Sequence, residues 1–449
     1  MKSYLSRLMV LSLTTAFAAV AVPAPAHADA AHWPQWRGPN FNGSSDAANL
    51  PTEFGKDKNV LWKATLPGVS NSTPIVHGDR VFTVAIDGSS NLLAMCLNKA
   101  DGNVRWKHTV GTGFFARGEN NMATPSPVTD GKHVWFLFGT GDLVCFDVDG
   151  KQVWARNLQK EVIAFNVMWI YGSSPLLYDG KLYVQILHTD KPYRGQVMAG
   201  AKTGEDPAPS YLLALDPATG NEIFRVVRPD QAVGETKESY GTPIPFEHNG
   251  RKEIILIGGD VITGHDPQTG TELWRFGGWN PEKVGSWRLV PSIVTGAGMI
   301  IGCAPKNGPV MAVKAGGVGD VSQTHKAWWT DPKQVTSDVP VPLFYKDHFF
   351  VLDQGGSKLS KLKPATGEIV WQTKLEGGKA VARSSPTGAD NKIYCMNVNG
   401  DIWVVSPEDG KVLHQTSLGG NKSARGSIAA VDGMIFVREG ENLYAFGQK

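Results

Sequence analysis

The 449-residue chain has few cysteines, no surplus of either charge and no long apolar segment beyond its first residues. Each shortage excludes something. Four cysteines, Cys96, Cys145, Cys303 and Cys395, lie far apart with no Cys-x-x-Cys pair, so neither a zinc knuckle nor a dithiol redox motif is indicated. Cys96 and Cys145 each stand two residues before a turn Asn or Asp, where another repeat places Ala214. Small buried residues are therefore expected there in preference to a disulfide, although export would permit one. The 44 basic and 42 acidic residues nearly cancel, and residues 1–28 hold Lys2 and Arg7 with no acid, so 42 of each sign follow them. A near-neutral chain without a Lys/Arg run offers a nucleic-acid backbone little attraction, and no nucleic-acid partner is expected.

Apolar length is equally limited. Lys2 and Arg7 precede the run Leu8 to Val22, and the small-residue site Ala26-His27-Ala28 follows. At about 15 residues the run falls short of the roughly 20 needed to span a bilayer. Residues 1–28 read as a cleavable secretory signal, which predicts a periplasmic or secreted protein with no transmembrane segment. The signal contains no cysteine, so no lipid anchor is expected. No Ser/His/acid triad, His/Cys cluster or phosphate-cradling loop stands at a usable spacing; no catalytic residue and no metal ligand is assigned.

What the sequence has in abundance is repetition. The phrase Ala214-Leu215-Asp216-Pro217-Ala218-Thr219-Gly220-Asn221-Glu222-Ile223-Phe224 returns at Gly264 to Trp274 and at Lys361 to Trp371. Degraded copies end at Trp106, Trp154 and His414, each with a Gly four residues earlier. Each copy reads as a strand, an Asp-Pro-x-Thr-Gly turn and a short strand closed by an aromatic. Ahead of it lies a second hairpin, as in Ser174 to Val184 with its Asp179-Gly180 turn.

Such units begin at Thr73-Pro74, Ser126-Pro127, Ser174-Pro175, Thr242-Pro243, Val290-Pro291, Val341-Pro342, Ser385-Pro386 and Gly426-Ser427. Eight four-stranded units at this period predict an all-β fold, an eight-bladed β-propeller of antiparallel blades over residues 58–449. The last unit lacks an outer strand, and Val60 to Lys63 carries the motif Trp without a preceding hairpin. That N-terminal strand is expected to complete the last blade and close the ring. Trp62, Trp106, Trp154, Trp274, Trp329 and Trp371 are expected to pack between blades. An extension at 29–57 bears the motif Trp33-Pro34-Gln35-Trp36-Arg37-Gly38-Pro39-Asn40 and is expected to pack on the propeller side near blades one and eight. Residues 188–210 form an insertion in blade three.

The pattern Ala-x-Asp-x-x-Thr-Gly-x-x-x-Trp resembles the tryptophan-docking motif of quinoprotein alcohol dehydrogenases, eight-bladed propellers that hold pyrroloquinoline quinone (PQQ) on the axis. With Thr242 to Glu253 and Ser384 to Asp390, the Trp33 to Gly43 segment is similar to exported PQQ-binding-like β-propeller repeat proteins of planctomycete type. The repeat is also similar to the propeller lipoprotein of the outer-membrane β-barrel assembly machinery, which binds protein partners without a cofactor. This chain departs from the dehydrogenases in having no two adjacent cysteines beside a quinone, and from the lipoprotein in lacking a lipid-attachment cysteine.

Loops leading into the innermost strands crowd one mouth of a propeller channel, so ligand contacts are expected there. They supply Arg117, Trp169, Tyr171, Tyr240, Trp287, Arg288, Arg383 and Arg425. Guanidinium groups around an axis favour an anion, and an indole can stack on a planar ring. Two readings follow. The first is a non-catalytic binding or scaffold propeller of the cell envelope, with an envelope protein or a carbohydrate as partner and no established cofactor. The second, implied by the resemblance, is a quinoprotein oxidoreductase using PQQ on an alcohol or sugar.

Overall fold

A computed structural model describes residues 30–113, 120–190, 199–203, 208–377 and 380–448. Residues 1–28, expected from sequence to be a secretory signal, lie outside the described residues. The fold is an eight-bladed propeller of four-stranded antiparallel blades, with one short α-helix and one 3-10 turn among the described residues. Blade three shows how the repeat makes a blade. Its strands Leu176–Tyr178, Lys181–Ile186, Tyr211–Leu215 and Glu222–Val227 pair in chain order. Tyr211–Leu215 is buried on both faces between neighbouring blades, while Glu222–Val227 alternates with solvent. Between them the Asp216 carboxylate accepts from the amides of Ala218 (2.8 Å) and Thr219 (3.0 Å). That carboxylate fixes the turn.

The ring closes as expected. Val60–Thr65 pairs antiparallel with Asn442–Gly447, so blade eight takes three strands from the C-terminal end and its outer strand from the N-terminal end. Five motif tryptophans lock neighbouring blades. The indole N–H of Trp62, Trp106, Trp154, Trp328 and Trp371 donates to a carbonyl of the next blade's turn, at Lys99, Val148, Pro217, Pro364 and Glu408 (2.7–3.1 Å). A side chain on the turn glycine would meet the ring, as at Gly220, whose φ of +73° also needs glycine.

Two tryptophans differ from expectation. In blade five the docking residue is Trp328, not Trp329: Trp328 stands opposite Ala312 beside the strand bulge, the register of Trp106 opposite Cys96 in blade one. Trp329 turns to the other face under Lys326, 3.7 Å from its ring. Trp274 folds back over Gly264 of its own blade and donates to Glu253 at 2.6 Å. The following blade carries no Thr-Gly turn to receive it. Blade five also begins two residues later than its Pro291 suggests, because Ser292 holds the ring position that Thr242 holds in blade four. All four cysteines are buried and unpaired.

The first part of the N-terminal extension, Trp33 to Ser44, crosses one end of the channel and does not lie along the propeller side. The rest runs out over blades seven and eight, where Pro51 accepts from the Tyr394 hydroxyl (3.0 Å) and the Phe54 amide donates to His414 of the outer strand of blade seven (3.3 Å). Trp33 bridges to Val76 of blade one, Pro34 accepts from Thr129 of blade two, and Ser44 bridges to Gly388 of blade seven. Arg37, 2% exposed, donates to the carbonyls of Pro342 (2.9 Å), Pro386 (3.3 Å) and Asn42 (3.0 Å). Gly43, at φ +89°, lies against the guanidinium where a side chain would collide with it, and Trp33 packs on Gly38. The motif is a plug.

Candidate functional site

Above the plug the blades enclose a cup of about 500 Å³. Its floor is a ring built from the first residue of each blade. The amide of Thr73 donates to the Ser126 hydroxyl, Ser126 to Ser174, Ser174 to Thr242 and Thr242 to Ser292, at 2.7–3.0 Å. On the far side Val341 donates to Ser385, Ser385 to Ser427 and Ser427 back to Thr73, at 2.9–3.0 Å. The step from Ser292 to Val341 is the exception, since valine brings no hydroxyl. This ring explains the Ser/Thr-Pro lead-ins: proline ends amide donation on the channel side while the hydroxyl before it ties the neighbouring blade.

The wall is asymmetric. Trp169, Tyr240 and Arg288 form one side: the Trp169 amide donates to the Tyr240 hydroxyl (3.0 Å), and two acids, Glu235 and the buried Glu238, stand behind them. Glu235, on the 3-10 turn Gly234–Lys237, accepts from the Trp169 indole (2.9 Å) and lies 3.5 Å from the Arg288 guanidinium. Arg288 in turn lies over the Trp169 ring at 5.8 Å. Glu238, fully buried, accepts from the Met168 amide (3.0 Å) and from the Tyr240 hydroxyl. Burial, with the Glu238 charge behind it, holds the Tyr240 phenol well above its ordinary pKa, so it stays a donor. Backbone bonds between Glu238 and Leu289 (3.1 Å) and between Tyr240 and Leu289 (2.9 Å) stitch these lead-ins together.

Arg383 and Arg425 form the other side. Burial pushes the Arg383 pKa down; the Asp338 charge opposes this and the Arg288 charge adds to it. With its amide oriented to suit both neighbours, Gln354 links Asp338 and Arg383 at 3.1 Å each. Burial pushes Arg425 down to about 10, leaving it a cation at neutral pH. Arg288 keeps a buried Nη1 without a partner among the described residues.

Of the residues expected from sequence, Trp169, Tyr240, Arg288, Arg383 and Arg425 meet in the cup. Tyr171 does not: it is 3% exposed, packs on Phe165 and donates to the Gln185 carbonyl at 2.7 Å, inside the core between blades. Trp287 also stands outside the lining, its amide on the Thr236 hydroxyl. Arg117 lies outside the described residues. Sequence reasoning missed Trp36, which rises from the plug into the floor and packs on blades five and six. It also missed the hydroxyl ring, although the repeated Ser/Thr before Pro was its signal. Among the described residues the lining holds three arginines and no Asp, Glu, Lys or His. Nor does any group of acid, His and Cys side chains suited to a metal ion occur among them.

A profile of the PQQ_2 family, described as outer membrane protein assembly factor BamB, matches residues 52–162, 93–237 and 258–449. The chain belongs to this family. A curated relative, the polyvinylalcohol dehydrogenase of Sphingopyxis sp. (strain 113P3), is 27% identical over 212 residues. That match takes in 45% of this chain and only 29% of the relative's length. Among solved structures, BamB from Moraxella catarrhalis aligns with a TM-score of 0.56 at 11% identity, over 86% of this chain and 98% of that one. A europium-containing methanol dehydrogenase gives 0.66 at 11% identity, over 94% of this chain and 98% of its own. The quinohemoprotein alcohol dehydrogenase of Comamonas testosteroni gives 0.66 at 13%, over 94% and 82%. At such identities these structures share the fold. Among the described residues no helix is long and apolar enough to cross a membrane.

Proposed function

We propose that this protein is a non-catalytic binding propeller of the cell envelope that holds an anionic ligand in its axial cup. One observation carries the reading: three guanidinium groups converge on a buried cup whose described lining offers no carboxylate. Their acids, Glu235 beside Arg288 and Asp338 near Arg383, stand behind the lining, so the guanidinium donors face the cup and would attract an anion, and a low-dielectric wall strengthens that attraction. The same lining has no base to take a proton from an alcohol and no charged oxygen donor for a divalent cation. Membership of a family described by outer-membrane protein assembly supports an envelope location, as does the signal-like leader. An envelope protein that inserts an acidic segment into the cup fits the reading better than a carbohydrate does.

The polyvinylalcohol dehydrogenase match favours a second reading, an oxidoreductase using PQQ. The guanidiniums suit the carboxylates of PQQ, and Trp36 and Trp169 offer ring faces. The residues present therefore fit PQQ as an anion, and they do not fit it as a redox centre. Anaerobic titration of the purified protein with PQQ, with and without calcium and followed by an alcohol-dependent dye assay, separates the two. Saturable binding that ignores calcium, with no dye reduction, is expected. Calcium-dependent binding with alcohol oxidation would establish the oxidoreductase.

A further inference from the structure

Asp260 stands in the turn between the second and third strands of blade four, Arg251–Gly258 and Val261–His265, in the left-handed region at φ +62°. It is only 6% exposed. One carboxylate oxygen accepts from the Asn280 side chain at 2.8 Å, and the other, Oδ1, is buried without a partner among the described residues. Asn280, also buried, belongs to segment 278–287, which follows the outer strand Glu272–Gly277 and leads to Arg288 in the cup wall. Val284 fixes its orientation, since the Val284 amide donates to Asn280 Oδ1 at 2.9 Å. The bonds then continue toward the cup. The Val284 carbonyl accepts from Asn280 (3.2 Å) and from the Thr236 hydroxyl (2.6 Å), and the Thr236 oxygen accepts from the Trp287 amide (2.8 Å). Thr236 follows Glu235 on the 3-10 turn. One chain of bonds thus ties a blade-four carboxylate to the Trp287–Arg288 lead-in.

An anionic oxygen buried without a donor is costly, and a neutral carboxyl in the same place costs less. A proton on Oδ1 leaves the Asn280 bond to Oδ2 intact, whereas opening segment 278–287 gives the anion water. Two charges face Asp260: Lys283 of the same segment favours the ion, and Asp230, which follows the outer strand of blade three, opposes it. Asp230 packs on Gly259 of the turn, with Arg228, Lys237 and Asp190 around it. Burial outweighs Asn280 and Lys283 and pushes the Asp260 pKa up to about 6 from 3.8. We propose that Asp260 is a proton-operated latch on the cup wall: protonated, it holds segment 278–287 against blade four; ionised, it lets the segment open and loosens the Trp287–Arg288 lead-in. The closed segment binds the proton more tightly than the open one, so closure is fully favoured below 3.8 and is lost as pH rises through about 6.

Hydrogen–deuterium exchange of the protein at about pH 5 and about pH 7.5, with intrinsic rates divided out, tests this. Peptides covering 279–287 are expected to be roughly tenfold more protected at the lower pH, while the strands of blade seven stay equally protected. Asp260→Asn keeps an acceptor for Asn280 and carries no charge, so it should give the acid-like protection at both pH values. Lys283→Met removes an exposed cation that favours the ion, and should move the midpoint of protection to higher pH even if the first variant does not fold. Equal native protection at the two pH values, greater protection at the higher one, full pH dependence in Asp260→Asn, or an unmoved midpoint in Lys283→Met would overturn the latch. None of these readouts needs a ligand, so the latch and the anion-binding reading stand or fall separately.

Discussion

Arginine does opposite things at the two ends of this channel. At the plugged end the Arg37 guanidinium is enclosed and gives its hydrogens to three carbonyls, two of them from the prolines that lead into the inner strands of blades six and seven. Its charge serves the fold. At the mouth, Arg288 pairs with Glu235 through Nε but keeps a buried Nη1 without a partner among the described residues, and its charge works against that of Arg383. Three guanidiniums gathered about one cup repel one another even with Glu235 and Asp338 nearby, which raises the energy of the empty cup. The difference teaches where to look for function: in guanidiniums that line a cavity.

The largest expected effect lies at the plug. Arg37→Met leaves two buried carbonyls and a half-buried one without their donor and is expected to cost about 3 kcal/mol in denaturant unfolding. Affinity in the cup should follow only through stability; equal destabilisation by Arg425→Met would erase the distinction between the ends.

Acid should act next, and on the mouth side. His188 begins the blade-three insertion, whose described part contacts the mouth loops through Asn166 and Gln159. Burial pushes the His188 pKa down to about 4 from 6.5. The unfolded chain therefore binds this proton first, so the contribution to stability is complete above pH 6.5 and is lost as pH falls toward 4. His188→Gln should flatten the stability profile across that window by about 3 kcal/mol. A profile that keeps its slope in the variant would assign the acid sensitivity to another group, such as His265, which burial also lowers to about 4.

Arg383→Met and Arg425→Met should each weaken anion binding by about tenfold or more, roughly 1.4 kcal/mol, and change unfolding free energy by less than about 0.5 kcal/mol. The smallest effect belongs to the floor. Val341→Thr supplies the missing hydroxyl of the ring and should add about 0.5–1 kcal/mol of stability, read as a small rise in the urea midpoint.

The propeller was legible in the sequence because hairpin chemistry is local. Asp216 to Gly220 specify a turn by themselves, and the repeat of that turn sets the blade count. Closure by Val60–Thr65 was legible for the same reason: a strand with its motif Trp but no hairpin had one place to go. Trp329 was misassigned because two adjacent tryptophans present opposite faces, and only the bulge beside Ala312 decides which one docks. The plug was hidden because its partners, Pro342 and Pro386, lie about 300 residues away and act through backbone carbonyls that carry no sequence signature. The arginines were found from their place before each inner strand, whereas Tyr171, one residue past the turn at Ile170 (φ +74°), faces the core.

The central claim is that the guanidiniums lining the mouth bind an anion. It is tested most directly by anaerobic equilibrium titration with PQQ, calcium chelated, comparing the native protein with an Arg383→Met/Arg425→Met double variant of equal unfolding midpoint. The account predicts one saturable site in the native protein and its loss in the variant. Equal binding by both proteins would contradict it.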